Sequence, residues 1–137
     1  MSDVTGGCRC GAVRYRSSEP PVVTRMCWCR DCQYWGSGSA TVNVFFKTET
    51  LTIDGPLARY ESEADSGTAM FREFCPTCGT PMVTGAHSRP GMIGLRAGTL
   101  DEVGAYPPAS VIWTDSAPAW ARHDPELPQA VKQPPPL

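Results

Sequence analysis

Seven cysteines constrain this chain of 137 residues more than any other feature of its sequence. They fall into three short motifs: Cys8-Arg9-Cys10, Cys27-Trp28-Cys29-Arg30-Asp31-Cys32 and Cys75-Pro76-Thr77-Cys78-Gly79. A secreted disulfide framework favours an even number of cysteines behind a signal sequence, and the stretch from Met1 to Gly7 does not have the charged and apolar regions of a signal sequence. We therefore expect a cytoplasmic protein whose reduced thiols act as metal ligands or redox groups.

Charge and hydropathy narrow the range of partners. The chain has 12 Lys and Arg against 14 Asp and Glu, a formal net charge of −2. This acidic balance, with no basic run, argues against nucleic acid or an anionic membrane surface. No apolar run approaches the roughly 18 residues of a membrane-spanning helix. We expect neither a nucleic-acid nor a membrane partner, and the sequence leaves homo-oligomerisation open.

Short segments of alternating or β-branched residues predict a mostly β chain. The predicted strands lie at 12–16, 40–46, 51–53, 57–61, 69–74, 80–84, 92–98 and 111–114. The turn at Asp54-Gly55-Pro56 predicts that 51–61 forms a hairpin, and short helical turns are expected after Cys29 and at 100–103. The pattern predicts one small domain over residues 3–125 and a flexible, proline-rich tail over 126–137.

The seven thiols divide most simply into four and three. Cys75-x-x-Cys78-Gly79 has the form of a zinc knuckle, in which backbone N–H groups point at sulfur and the glycine takes a left-handed conformation. This pair needs two partner ligands, which Cys8 and Cys10 offer. The four-cysteine cluster is defined as Cys8, Cys10, Cys75 and Cys78. A zinc bound there would join distant parts of a chain whose core is small.

The other three thiols form the three-cysteine cluster, defined as Cys27, Cys29 and Cys32. They can bind one zinc from a single loop, but they cannot complete a tetrahedron. A catalytic zinc has three protein ligands and an open fourth position, whereas a structural zinc has four. The sequence therefore predicts two Zn²⁺ per chain, with the open position at this cluster.

Other arrangements of the cysteines remain open. Two members of the three-cysteine cluster could pair with the knuckle instead. Alternatively, the three-cysteine cluster could be a second structural site, completed by His87, His123 or an acidic side chain. A thioredoxin-like redox pair at the knuckle needs a βαβ setting, which this sequence lacks.

These spacings resemble the glutathione-dependent formaldehyde-activating (GFA) family, also called the CENP-V/GFA domain. The resemblance runs from Gly6 to about Trp120, and its motifs are Gly7–Tyr15, Cys27–Cys32, Phe74–Pro81, Gly98–Asp101 and Pro108–Trp120. It implies a small domain of several coiled antiparallel β-sheets organised around a structural zinc. It assigns the four-cysteine cluster to that zinc and the three-cysteine cluster to a catalytic zinc.

The resemblance also implies an activity. The family reaction is the reversible addition of glutathione to formaldehyde, so the chain is expected to be a carbon–sulfur lyase similar to S-(hydroxymethyl)glutathione synthase. Its partners would be a small-molecule thiol, such as glutathione, and a small aldehyde. Asp31, inside the loop of the three-cysteine cluster, is the first candidate for general acid or base. His87 and Glu73 follow.

Further residues are candidates for substrate contacts. The expected partners of the glutathione carboxylates are Arg25, Arg30 and Arg89, and the expected apolar walls are Trp28, Tyr34 and Trp35. The chain departs from the family pattern, which usually has a His in place of Trp28 and an Arg in place of Gln33. The late stretch of the family often reads P-x-x-H-I, whereas in this chain Ser110 precedes Val111-Ile112. Since the metal ligands are intact, these departures bear on the substrate more than on the metal. The alternative functions are a zinc-stabilised binding module without catalysis and a thiol redox or metal-buffering protein.

Overall fold

A computed structural model describes residues 3–64 and 66–135 and confirms the predicted mostly β class. The strands are β1 (Val4–Gly7), β2 (Arg14–Ser17), β3 (Val23–Cys27), β4 (Thr41–Lys47), β5 (Leu51–Asp54), β6 (Ala58–Glu63), β7 (Ala69–Phe74), β8 (Pro81–Ala86), β9 (Met92–Arg96) and β10 (Ser110–Ile112). The described helical segments are α1 (Arg30–Trp35) and three 3-10 turns, Thr48–Thr50, Ala97–Thr99 and Thr114–Ser116. No helix in the described ranges is both long and apolar enough to cross a membrane.

The described strands form two sheets. The smaller has three antiparallel strands in the order β1-β2-β5, and the larger has seven in the order β10-β3-β4-β9-β8-β7-β6. The larger sheet is mixed, because β10 pairs with β3 in parallel while the other described pairs are antiparallel. The parallel pair matters for the site, since it ends with Ile112 beside Cys27.

The predicted hairpin over 51–61 is wrong. Strand β5 pairs with β2, whereas β6 pairs with β7, so the two halves of that segment belong to different sheets. The turn between them redirects the chain: Gly55 has φ +119°, and a Cβ there would lie 2.2 Å from the carbonyl oxygen of Ala12. Leu51 and Ile53 pack against the core, which favours pairing with β2 over local pairing.

Two strands and one turn also differ from the prediction. Strands β1 and β3 were not predicted, since Val4–Gly7 contains two glycines and Val23–Cys27 has no strict alternation. The expected helical turn at 100–103 is absent from the described residues there, and a 3-10 turn occupies Ala97–Thr99 instead. The helical turn expected after Cys29 is confirmed as α1.

The main core lies where the two sheets meet. Tyr15 of β2 packs in one buried cluster with Val44 and Phe46 of β4 and with Leu95 of β9. Cys8 and Cys75 belong to the same buried cluster. The four-cysteine cluster is therefore built into the edge of the core rather than attached to the surface.

Gly6 of β1 provides a test of this packing. A Cβ at Gly6 would lie 2.3 Å from both the Thr99 carbonyl oxygen and the Tyr15 hydroxyl, whose own hydrogen bond to Thr99 Oγ1 is 2.8 Å long. Gly6→Ala is expected to lower the free energy of unfolding by about 1–3 kcal/mol, measured by urea denaturation with excess Zn²⁺. Gly98→Ala is the control, because its Cβ would meet nothing within 4 Å. Equal destabilisation by both substitutions would contradict this account.

Candidate metal centres and the adjoining pocket

The four sulfur atoms of the four-cysteine cluster all lie within 4.8 Å of one another. Cys8 Sγ is 3.6 Å from Cys10 Sγ, which in turn is 3.8 Å from Cys75 Sγ. A zinc ion with four Zn–S bonds of about 2.3 Å has tetrahedral sulfur–sulfur edges of about 3.8 Å. The described geometry thus suits a closed tetrahedral ion, and thiolate sulfur is a ligand that zinc favours.

Two tight turns position these four thiols. In the first, the Val13 N–H donates to Cys8 Sγ at 3.2 Å. In the second, the Gly79 N–H donates to the Cys75 carbonyl at 2.8 Å while Gly79 has φ +77°, as expected for a knuckle. Hydrogen bonds from the side chain and backbone of Thr80 lower the pKa of Cys78 to about 5. Each turn therefore favours the thiolate form of one sulfur, that of Cys8 or Cys78, and thiolate is the form that binds metal.

The three-cysteine cluster lies at the end of β3 and the start of α1. Its three sulfur atoms also lie within 4.8 Å of one another, and no His, Asp or Glu of the described residues joins them. Cys29 caps α1, since its Sγ accepts the Cys32 N–H at 3.3 Å. Cys27 and Cys32 are buried, whereas Cys29 is half-buried. An ion held here would have three protein ligands and one position left for another ligand.

The protons of the three-cysteine cluster are distributed unevenly. Hydrogen bonds from Cys27 and Cys29 lower the pKa of Cys32. The same contacts raise the pKa of Cys27, which holds its proton between two neighbouring sulfurs. The three thiols therefore titrate as a coupled unit. A metal ion binding to all three sulfurs displaces the remaining protons.

A pocket of about 510 Å³ adjoins the three-cysteine cluster, and all three of its cysteines line the pocket. The charged residues lining the pocket are Arg25, Asp31, Arg72 and Arg89. Its apolar wall includes Phe45, Met70, Met92, Ile112 and Trp113. Within the described parts of the chain, none of the three arginines forms an ion pair. The pocket thus combines thiol ligands, an excess of positive charge and an apolar surface.

Two of the arginines repel each other across the pocket. Burial lowers the pKa of Arg25, and the positive charge of Arg89 lowers it further. An anion bound between the two guanidinium groups would relieve this repulsion and accept charge-assisted hydrogen bonds. Arg72 is more constrained, because its guanidinium stacks 4.5 Å from the Trp35 ring and donates to Ser62 Oγ at 2.9 Å.

Arg96 is a functional candidate that sequence reasoning missed. Its side chain is buried and donates to Asn43 Oδ1 at 2.6 Å. Burial lowers the pKa of Arg96, while the nearby sulfur of Cys32 favours its charged form. Its Nε and Nη2 atoms have no hydrogen-bond partner among the described residues. The only sequence signal was a lone charge at the end of the apolar strand β9, which does not reveal that Cys32 lies close by.

The structure separates the other predicted residues into those inside and outside the pocket. Asp31 and Arg89 line the pocket, as does Arg25, which lies on strand β3. His87 instead binds Glu61 at 2.9 Å on the surface, and Glu73 pairs with Arg59 at 3.0 Å. These two pairings leave Asp31 as the candidate acid or base inside the pocket.

The predicted aromatic walls lie elsewhere. Trp28 is buried beside Trp120, with ring centroids 6.3 Å apart, and the exposed Tyr34 does not line the pocket. Trp35 contacts the pocket only through Arg72. The apolar side chains of the sheet form the pocket wall instead, because the strands that carry them are packed around the three-cysteine cluster.

Gln33 and Arg30 support the loop of the three-cysteine cluster. The Gln33 amide donates to the carbonyl oxygens of Trp28 at 2.8 Å and Ser116 at 3.0 Å. Its own oxygen accepts the Arg30 guanidinium at 2.6 Å. Gln33 therefore joins α1 to the segment after β10, and Arg30 is held away from the pocket.

The fold and the two thiol clusters define a β protein with two groups of cysteines that could hold metal ions, and comparison with known proteins gives its family. Residues 3–116 match the family described as glutathione-dependent formaldehyde-activating enzyme. A Halomonas elongata protein, provisionally named as such an enzyme, is 29% identical over 121 residues, which cover 84% of this chain and 77% of that protein. The chain belongs to the GFA family.

A solved structure supports the fold independently. A crystal structure of a Rhodobacter sphaeroides protein aligns with a TM-score of 0.57 and 24% sequence identity, covering 74% of this chain and 91% of that one. At this identity the likeness shows a shared fold.

Cysteine variants test the division into a closed and an open cluster. Zn²⁺-loaded Cys29→Ser is expected to stay folded and hold about one zinc, because the closed four-cysteine cluster is intact. Cys75→Ser is expected to lose cooperative folding, because its sulfur belongs to both the closed cluster and the core. Elemental analysis and thermal unfolding followed by circular dichroism measure both effects. Loss of the fold to the same extent in both variants would contradict the division.

Proposed function

We propose that this protein is a zinc-dependent carbon–sulfur lyase that reversibly adds a thiol such as glutathione to formaldehyde or a related small aldehyde. The observation that carries the proposal is the three-cysteine cluster beside a pocket lined by three arginines. In the addition, the thiol sulfur bonds to the aldehyde carbon and the π bond of the carbonyl breaks. The thiol proton ends on the new hydroxyl oxygen, so the reaction needs neither an oxidant nor a reductant.

Each cluster has its own role in this proposal. The four-cysteine cluster holds a structural zinc, which agrees with its closed geometry and its place in the core. Cys27, Cys29 and Cys32 would hold the catalytic zinc, which would supply a site that binds a thiol as thiolate. Cys29 is the most accessible of the three cysteines, whereas Cys27 and Cys32 are buried.

Asp31 transfers the proton in this mechanism. It lies in the first turn of α1, two residues after Cys29, and lines the same pocket as the three cysteines. Its carboxylate accepts the proton of the thiol and returns a proton to the oxygen of the product. The apolar wall limits the water around the aldehyde, which slows its hydration at this site.

The arginines bind the rest of the thiol. Glutathione has two carboxylates, and Arg25 and Arg89 lie on the pocket wall with no ion pair among the described residues. A carboxylate between them would relieve the repulsion that lowers the pKa of Arg25. The family description and the name of the Halomonas elongata relative both include glutathione and formaldehyde, which supports this substrate pair.

The exchange rate between free and thiol-bound formaldehyde tests the function. The uncatalysed addition is itself measurable, so exchange NMR with ¹³C-formaldehyde and glutathione gives the acceleration by Zn²⁺-loaded protein. Asp31→Asn is expected to lower kcat by about 10²- to 10⁴-fold at unchanged zinc content. Asp54→Asn, at the exposed end of strand β5, is the matched control. Glutathione binding without any acceleration by the wild type would favour the non-catalytic binding module instead.

Arg89→Met tests how the thiol is recognised. Loss of a charge-assisted hydrogen bond to a carboxylate is expected to raise KM for glutathione about 10- to 100-fold. KM for 2-mercaptoethanol, which has no carboxylate, should stay unchanged. Arg122→Met is the control, since Arg122 is exposed and does not line the pocket. Equal effects on the two thiols would show that Arg89 does not bind a carboxylate.

A further inference from the structure

The C-terminal segment is held against the sheet beside the three-cysteine cluster. The Val111 N–H donates to the Pro128 carbonyl, and the Ala130 N–H donates to the Val111 carbonyl, both at 2.9 Å. Val111 and Gln129 form a parallel β-bridge, which extends the pairing beyond β10. We call residues 128–131 the C-terminal strap. The strap covers the β10 edge of the larger sheet, whereas the sequence favoured a flexible tail.

The strap packs close to the metal ligands. Ala130 contacts the buried cluster formed by Cys27, Cys32 and Ile112. Two further hydrogen bonds hold the strap to the segment after β10: Thr114 N–H to the Ala130 carbonyl at 3.2 Å, and Asp115 N–H to the Val131 carbonyl at 3.1 Å. The chain that follows the strap therefore starts from a fixed position next to the pocket.

Gln133 and Pro134, the next residues along this path, line the pocket itself. Trp113 has φ +58°, a left-handed conformation uncommon for a residue other than glycine, and its indole Nε1 donates to Gln133 Oε1 at 3.0 Å. This bond fixes the amide oxygen and leaves the amide N–H groups available to a ligand. Pro134 has a fixed φ, which stiffens the same wall.

We infer that Gln133 is a specificity-determining residue, which donates a hydrogen bond from its side-chain amide to the distal, peptide-like part of a bound thiol. The inference rests on the proposed function, since it concerns the substrate of the same pocket. A thiol with carbonyl or carboxylate groups beyond its sulfur gains this contact, whereas a two-carbon thiol cannot reach it. The family match ends at residue 116, so Gln133 and Pro134 lie in a segment outside the matched region.

Three variants test whether Gln133 contributes to binding of the thiol. Gln133→Ala is expected to raise KM for glutathione about 3- to 10-fold, with kcat and the KM for 2-mercaptoethanol unchanged. A truncation after Val131 removes Gln133 and Pro134 but keeps the strap, and it should raise KM for glutathione at least as much. Lys132→Ala is the matched control, because Lys132 is exposed and does not line the pocket. A fall in kcat, or equal changes in KM for both thiols, would mean that the segment is only structural and would overturn the inference.

A second readout does not depend on turnover. The truncation opens one side of the pocket, so zinc should pass from the three-cysteine cluster to the chelator 4-(2-pyridylazo)resorcinol at least about twice as fast as in the wild type. Failure of the proposed function would appear as no acceleration of adduct formation by the wild type or by any variant. Faster zinc transfer would still support the inference that Gln133 and Pro134 line the pocket. An unchanged rate of zinc transfer together with unchanged binding of glutathione would overturn that inference.

Discussion

Contacts between thiol sulfurs from distant parts of the chain set the arrangement of this fold. Cys10 and Cys75 are 65 residues apart in sequence, yet their sulfurs lie 3.8 Å apart. A metal ion held by both turns closes that long loop, and a domain of this size has only a modest core to do so otherwise. Cys8 and Cys75 also pack with Tyr15 and Val44, so ligand geometry and core packing depend on the same residues. Strand β8 follows directly after the four-cysteine cluster and lines the pocket. The four-cysteine cluster therefore helps to position the pocket beside the three-cysteine cluster.

The charge of the three-cysteine cluster matters as much for metal binding as its geometry does. Three thiolates and one divalent cation have a net charge of −1, which is costly to bury without a counter-charge. Arg96 on β9 would supply that counter-charge to a loaded site, and Asn43 on β4 fixes its guanidinium by accepting a hydrogen bond of 2.6 Å. The charges of a divalent ion, three thiolates and Arg96 would then sum to zero, which would lower the cost of burying such a site beside apolar side chains. The arginines of the pocket are then available to anions from solution.

The sequence was most informative where chemistry depends on short spacing. Both cysteine clusters followed from motifs of three to six residues, and the structure brings together the same two groups. Sheet pairing was less predictable, because pairing joins residues distant in sequence: Leu51–Asp54 aligned with β2 rather than with its neighbour Ala58–Glu63. Strand β1 was missed for a related reason, since its two glycines have low strand propensity and tertiary contacts decide its conformation.

The pocket was harder to predict than the clusters for the same physical reason. Arg25, Arg72 and Arg89 come from three separate segments, and nothing in their local sequence distinguishes them from surface arginines such as Arg122. Arg25 lies on β3, Arg72 lies on β7 and Arg89 follows β8, and the sheet order places β3 on one side of β4 and β9 and places β8 and β7 on the other. The candidate metal ligands are therefore visible in the local sequence, whereas the residues that share the pocket are brought together by the topology. A chain can therefore keep its cysteine clusters and alter its pocket by changing residues far from any cysteine. In this protein, a segment beyond residue 116, outside the family match, lines part of the pocket.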